Sequence, residues 1–466
     1  MVIETCYGMI EGIKKDGCDC YYGVPFAKPP VGELAFRRPV PPEPWEGILK
    51  ALEPGANPIQ ETKHFSEDVY NQDCLYMNIF VPEHDVSEKL PVMVWFFGGS
   101  YSHGGTGKSE HIPTKKFRTR RYRYDSAAFA TENHVIIVTF NYRLNFYGFL
   151  NLHCIDSRFE QNLGIYDQIA ALDFVSKTIG AFGGDCGNVT LFGQSAGAAC
   201  ILALMSVPAA RVYFHKVIIQ SACVEHFFTE EESSYQTRKY LSYAHLSRLA
   251  RPNVGKSELD KLFAIDPCRV IKANHRLGLL TMLRPETRCA FSPVIDGTLL
   301  RDYPKKLCSE YDIPMLIGTT EEEAGIFIRV MPSFLLKFFM KKLGLDISAF
   351  KGSVRERCVK AMTKFIYQSP AMEIVASRNA SKTFVYRYGL VSPAMRKKGL
   401  GATHASDVPV LFGIAGQLAD YAGAEKKCEE VGLNMRRWWA NFAKFGSPGE
   451  NWKPFSDNQY IQKIGF

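Results

Sequence analysis

Short apolar, β-branched runs alternate along the chain with longer stretches of helical spacing. "LPVMVWFF" (90–97), "VIIVTFNY" (135–142), "NVTLF" (188–192), "KVIIQSA" (216–222) and "IPMLIGTT" (313–320) are nearly free of charge, which predicts strands buried on both faces. Between them, "DQIAALDFVSKTI" (167–179) sets Ile169, Leu172, Phe174 and Val175 at helical intervals. "AGAACILALM" (196–205) is rich in Ala and Leu and predicts a second helix. Strands alternating with helices imply an α/β fold, with a large, mostly parallel sheet flanked by helices. Reactive groups of such sheets gather beyond the carboxyl ends of the strands. The first sixty or so residues are rich in Pro and Gly with short β-like pieces. Two stretches, near 225–290 and 330–380, leave the strand pattern for irregular helices, including "SFLLKFFMKKLG" (333–344). Such excursions either cap a site or pack on the core. With no linker, repeat or low-complexity tract, residues 1–466 are expected to form a single domain.

Composition narrows the class. The chain is 46% apolar and 22% charged, enough for a large core. No apolar run reaches the roughly 18 residues of a membrane span. The net charge of +8 looks like a nucleic-acid signature, but it is local: "KKFRTRRYR" (115–123) supplies six basic residues and no acid. That stretch reads as a solvated loop or as a local anion, membrane-surface or acidic-partner patch, and no nucleic-acid partner is expected. "MVIETCYGMIEG" carries neither a basic leader nor a long apolar segment, so a cytoplasmic location is expected. The 13 cysteines agree with it, being scattered and without a framework of spacings. Cys18 and Cys20 form a C-x-C with no second pair at a zinc-like interval, so reduced, mostly buried thiols are expected rather than a zinc site.

Candidate chemistry centres on "FGQSAGAAC" (192–200), which holds Gly193-Gln194-Ser195-Ala196-Gly197, the pattern G-x-S-x-G. Alone it is also an ordinary Gly-rich turn. Here a buried strand precedes it and a helix follows, the context that turns such a serine into an exposed nucleophile. A serine hydroxyl needs a base, and the base an orienting acid. In this topology they follow in the order Ser, acid, His. After His275 the chain has one histidine, His404 in "GATHASD" (401–407). The acid must lie between Ser195 and His404. Glu321, Glu322 and Glu323 directly follow a predicted strand, and Asp296 in "SPVIDG" is the rival, in a turn-like context. "WFFGGSY" (95–101) puts Gly98, Gly99 and Ser100 in a tight loop after a strand, where backbone N–H groups can meet a substrate oxygen. The N–H of Ala196 is a further donor.

The chain resembles the type B carboxylesterases, the cholinesterase-like family of the α/β-hydrolase superfamily. "YYGVPFAKPPVGELAFRRP" (21–39), "QDCLYMNIF", "VMVWFFGGS", "NYRLNFYGFL", "GIYDQIAALDFV", "FGGDCGNVTLFGQSAGA" and "FSPVIDG" carry the likeness along most of its length. The resemblance implies an α/β-hydrolase fold with helical excursions over the site. It implies a Ser195–Glu323–His404 triad, an oxyanion hole from the N–H groups of Gly99, Ser100 and Ala196, and a buried Arg143–Asp167 pair. Family members place the acid just before a glycine or one residue earlier, and Glu323-Ala324-Gly325 points to Glu323; the other two glutamates are then expected to face solvent or cap a helix.

Departures from the family pattern sharpen the picture. Many members close a disulfide at the cysteine of "DCLY"; here Cys74 faces Pro58 at the partner position, so no bridge is expected. A frequent Arg–Glu pair is replaced by Ala35 and Gln72, which avoids stranding one buried charge. The loop between Pro58 and Cys74 has no Trp, which argues against a cholinesterase, where a Trp there meets choline's cation. Ser100 stands where a third glycine is common. The function implied is hydrolysis of carboxylic esters, with a small-molecule ester and water as the reactants; with water as second substrate, this chemistry requires neither metal nor cofactor. Lipase, thioesterase or carbamate hydrolase activity are variants of the same chemistry. The rival class is a non-catalytic, cholinesterase-like binding protein, which usually lacks the nucleophile or its partners.

Overall fold

Ten strands form the central sheet of the computed structural model. It describes residues 1–61, 69–85, 87–107, 124–250, 255–283, 289–329 and 331–466. The basic stretch 115–123 therefore lies outside the described residues. In chain order the strands are β1 (Ile13–Lys15), β2 (Cys18–Pro25), β3 (Tyr76–Pro82), β4 (Leu90–Phe96), β5 (Ile136–Phe140), β6 (Gly184–Gln194), β7 (Lys216–Gln220), β8 (Met315–Thr320), β9 (Thr383–Tyr388) and β10 (Ile461–Ile464). Their spatial order is β10-β9-β8-β7-β6-β4-β5-β3-β2-β1. From β10 to β5 every pairing is parallel. From β5 to β1 every pairing is antiparallel. This is the α/β-hydrolase fold expected from the sequence.

The parallel half is built from the uncharged runs because both of its faces are covered. Val92, Val94 and Phe96 of β4 lie opposite Val189, Leu191 and Gly193 of β6, and β4 and β6 are buried in this stretch. Helices α1 (Leu163–Thr178) and α2 (Ala196–Ser206) pack on each other; every residue of α2 is buried, which explains its apolar composition. Between β7 and β8 come α3 (Glu230–Tyr243) and α4 (Pro267–Leu283). Between β8 and β9 come α5 (Ser333–Lys342), α6 (Val354–Met362) and α7 (Ser369–Ala376). Thr229 starts α3, and Ser353 starts α6, with a reciprocal side-chain cap. The excursion between β8 and β9 carries its own small core of Ala324, Ile328, Leu336, Met340, Cys358, Val359 and Met362. The long α8 (Glu425–Phe445) buries Met435, Trp439 and Phe442 along one stripe and packs on β4 and β6. It ends at Gly446 with φ +74°, the left-handed stop that favours glycine.

Candidate active site

Parallel strands bring their carboxyl ends to one edge of the sheet, and the candidate residues follow β6, β8 and β9 there. Ser195 directly follows β6 and opens α2. Its backbone sits at φ +59°, ψ −124°, a strained conformation for a residue with a Cβ. The turn is fixed from both sides: Ser195 N–H donates to Gln220 of β7 at 2.9 Å, and Ser195 carbonyl accepts from Ala199 at 3.0 Å. Gly197 is required by close approach, since a Cβ there would sit 2.1 Å from the Phe96 carbonyl.

His404 comes from the loop after β9, and its Nε2 lies 2.8 Å from Ser195 Oγ. Its Nδ1 lies 2.6 Å from Glu323 Oε2. Glu323 is 0% exposed and follows β8, and its other oxygen accepts the Thr320 N–H at 2.7 Å. A carboxylate only accepts, so the ring proton belongs on Nδ1, and the Nε2 lone pair then faces the Ser195 hydroxyl. Ser195 is 6% exposed, so this line is sheltered from bulk water.

The other acids are placed elsewhere. Asp296 makes a turn, accepting from Thr298 and Leu300 N–H groups at 2.9 and 3.0 Å and from Asn162 at 2.9 Å. Glu321 is exposed and approaches Arg387 at 3.7 Å. Glu322 departs from expectation: it neither faces open solvent nor caps a helix. It is half-buried against Gly401, and burial pushes its carboxyl up.

The loop after β4 passes over the serine. A Cβ on Gly98 would come 3.0 Å from Ser195 Cβ and 2.6 Å from the Gln194 carbonyl, so only glycine admits this approach. Gly99 and Ser100 have φ of +123° and +54°. Among the described residues, the N–H groups of Gly99, Ser100 and Ala196 donate to no turn or loop acceptor, which leaves them available to a bound oxyanion. Ser100 is exposed, with its carbonyl accepting from Ser102 Oγ at 3.0 Å.

Several neighbours carry no local sequence signature. Gln194 Nε2 is 3.2 Å from His404 Nε2. Cys223 Sγ is 3.8 Å from Ser195 Oγ and 3.9 Å from the Tyr367 hydroxyl. Burial pushes the Cys223 thiol up to about 11. The rings of Tyr367 and Phe327 lie 5.1 and 5.3 Å from the His404 ring. Tyr367 sits in a π-helical turn, Thr363–Gln368, of the kind that often marks a functional site.

Arg143 and Asp167 form a buried bidentate pair. Nε donates to Oδ2 at 2.8 Å and Nη2 to Oδ1 at 2.7 Å, while Nη1 reaches the Ala35 carbonyl at 3.1 Å. Gln72, neutral where a charge is common, donates to the Tyr147 hydroxyl at 3.3 Å. Cys74 is a free, buried thiol that lines one small cavity with Pro58. Among the described residues no group of three His, Cys, Asp or Glu side chains is placed to hold a metal ion. No helix among them is long and apolar enough to cross a membrane.

A largely parallel sheet with a serine on a strained strand-to-helix turn is the layout of an α/β-hydrolase. The sequence model of the carboxylesterase family matches residues 1–343 and 335–465, and the chain belongs to that family. The family places it among the carboxylic ester hydrolases. It is 31% identical to para-nitrobenzyl esterase of Bacillus subtilis (strain 168), over 98% of this chain and 93% of that protein. It is 33% identical to gut esterase 1 of Caenorhabditis elegans, over 98% of this chain and 87% of that protein. A solved PNB esterase superposes with a TM-score of 0.84 at 29% identity, covering 99% of this chain and 93% of that one. A carboxylesterase of Geobacillus stearothermophilus superposes with a TM-score of 0.81 at 28% identity, covering 99% and 96%.

Proposed function

We propose that the protein is a serine carboxylesterase that works through an acyl-enzyme on Ser195, with His404 as general base and Glu323 as its orienting acid. The observation that carries this reading is the continuous line from Ser195 Oγ through His404 Nε2 and Nδ1 to Glu323 Oε2. His404 takes the Ser195 proton as Oγ attacks the ester carbonyl. The N–H groups of Gly99, Ser100 and Ala196 hold the oxyanion of the tetrahedral intermediate. His404 then protonates the leaving alcohol, and a water activated by the same nitrogen releases the acid. Every group required is a side chain or N–H of this chain, and the co-substrate is water. Short-chain esters of an aryl or alkyl alcohol are the proposed substrates. The relative named para-nitrobenzyl esterase supports the aryl-alcohol side of this reading. A reducing, cytoplasmic setting is proposed with it, supported by Cys74, a free thiol that shares its cavity with Pro58.

A p-nitrophenyl ester series from acetate to palmitate tests the activity, with a serine-directed organophosphate as control. Turnover highest on short chains, blocked by a label that maps to Ser195, is the expected result. A label on another residue, or hydrolysis that survives Ser195→Ala, would refute the assignment.

A further inference from the structure

Helix α5 turns large apolar side chains outward. Its inner face buries Leu336 and Met340 in the small core between β8 and β9. On its outer face Phe334 is 72% exposed and Phe338, one turn on, is 61% exposed, with Leu335 exposed beside them. A single exposed apolar residue is ordinary; two outward phenylalanines stacked on one helix form a patch that asks for an occupant. Phe327, 51% exposed, stands on the short helix Gly325–Ile328, whose Ile328 shares that small core. Its ring is 5.3 Å from the His404 ring, so this exposed side chain of the same excursion borders the candidate site.

The charges along this stretch of chain have one sign. Between Glu323 and Asp346 the sequence has no acid and carries Arg329, Lys337, Lys341 and Lys342. The three lysines lie on the exposed side of α5, and Lys342 Nζ sits 5.4 Å from the Phe338 ring centroid. Aromatic side chains at the centre of a helix face with lysines around them suit a surface that is apolar inside and anionic at its rim. A second copy of the chain seated on the same face would bring these lysines against their own equivalents, which like-charge repulsion opposes.

We propose that the outer face of α5, extended by Phe327, docks the protein on anionic lipid surfaces, so that esters dissolved in the lipid reach Ser195 from that side. The docking stands independently of the chemistry; the delivery of lipid-borne esters rests on the esterase reading above.

The test is co-sedimentation with vesicles of phosphatidylcholine alone and of phosphatidylcholine with about 30 mol % phosphatidylglycerol, in low and high salt. Wild type, Ser195→Ala, Phe334→Ser/Phe338→Ser and Lys337→Ala/Lys341→Ala/Lys342→Ala are compared. Docking predicts that wild type and Ser195→Ala bind the anionic vesicles alike. It predicts that both multiple variants lose about tenfold or more in binding. Both should hydrolyse soluble p-nitrophenyl acetate as wild type does, yet lose activity on a p-nitrophenyl ester embedded in the anionic vesicles. Wild-type binding no stronger than that of the variants overturns the docking while leaving the esterase reading intact. A dimer in sedimentation velocity that the Phe334→Ser/Phe338→Ser variant dissolves also overturns it, in favour of a second copy. Undiminished anionic-vesicle binding with no hydrolysis of either ester supports the docking and removes the delivery role and the esterase reading together.

Discussion

Glu323 and His404 are joined twice. Oε2 of the acid lies 2.6 Å from Nδ1 of the ring, and the His404 N–H donates to the Glu323 carbonyl at 3.1 Å. The second bond ties the loop after β9 to the end of β8, so the ring is aimed by backbone as well as by side chain. Thr320 holds the far oxygen of the carboxylate, which leaves the acid little freedom to turn away.

That arrangement predicts how the three neighbouring glutamates differ. Glu323→Gln should lower kcat by roughly 10²–10⁴, because the amide no longer enforces the ring tautomer or stabilises the imidazolium. Glu321→Gln, at an exposed site, should stay within about tenfold of wild type. Glu322→Gln should do the same, since its contact is with Gly401 and not with the ring. Steady-state kinetics on a soluble ester with circular dichroism of each variant checks this. A crippled Glu322→Gln beside a normal Glu323→Gln would move the acid by one residue.

The buried Arg143–Asp167 pair predicts a stability effect separable from the chemistry. Asp167→Ala leaves the Arg143 guanidinium without its partner at a site 2% exposed. Stranding such a charge costs about 3–5 kcal/mol. Replacing both, as Arg143→Met/Asp167→Leu, should cost clearly less than the sum of the single changes. Urea unfolding of the set checks this, and additive losses would show that the pair is not coupled.

The thiols predict indifference to reductant. Cys74 is free and deep in the core, where burial pushes its thiol well up, and it shares its cavity with Pro58, which offers no sulfur. Dithiothreitol should therefore change neither melting temperature nor activity. Alkylation of freshly isolated, denatured protein should label Cys74, and mass spectrometry that finds it in a disulfide contradicts this.

How far the site was legible follows from how local each signal is. The parallel strands β4 to β8 are visible because burial on two faces demands uncharged, β-branched runs, and Ser195 is visible because its strained turn must be flanked by small residues. His404 follows from chain order, being the one histidine after His275. On residue types alone the acid stays ambiguous among Glu321, Glu322, Glu323 and Asp296; the family resemblance points to Glu323, and the contact between the end of β8 and the loop after β9 separates it from its neighbours. Strand β9 is faint because Arg387 interrupts its apolar run. Gln194, Cys223, Phe327 and Tyr367 meet at His404 and Ser195 from four separate segments. No periodicity within any one of them encodes that meeting, so it emerges only with the tertiary structure.

Asp407 supplies a prediction for pH. It lies three residues after His404, fully buried, with Oδ2 accepting from Gln220 Nε2 at 2.8 Å; Gln220 Oε1 in turn accepts from Trp439 Nε1 at 3.1 Å. Burial pushes the Asp407 carboxyl up from 3.8 to about 6. Between about pH 4 and 6 the folded protein therefore holds a proton that the unfolded chain has released. Stability from this group must fall as pH rises through that window, because the folded state binds more protons there. A shift of that size corresponds to about 3 kcal/mol between the two ends of the window. Asp407→Asn cannot ionise, and its carbonyl can still accept from Gln220. The difference in unfolding free energy between Asp407→Asn and wild type should thus rise by about 2 kcal/mol from pH 4 to pH 7, the rest of the shift lying below pH 4, with the other carboxylates cancelling in the comparison. Urea titrations of both proteins across that range measure it. A difference that stays flat would mean that Asp407 ionises in the core as readily as in water, with the Gln220 bond offsetting its burial.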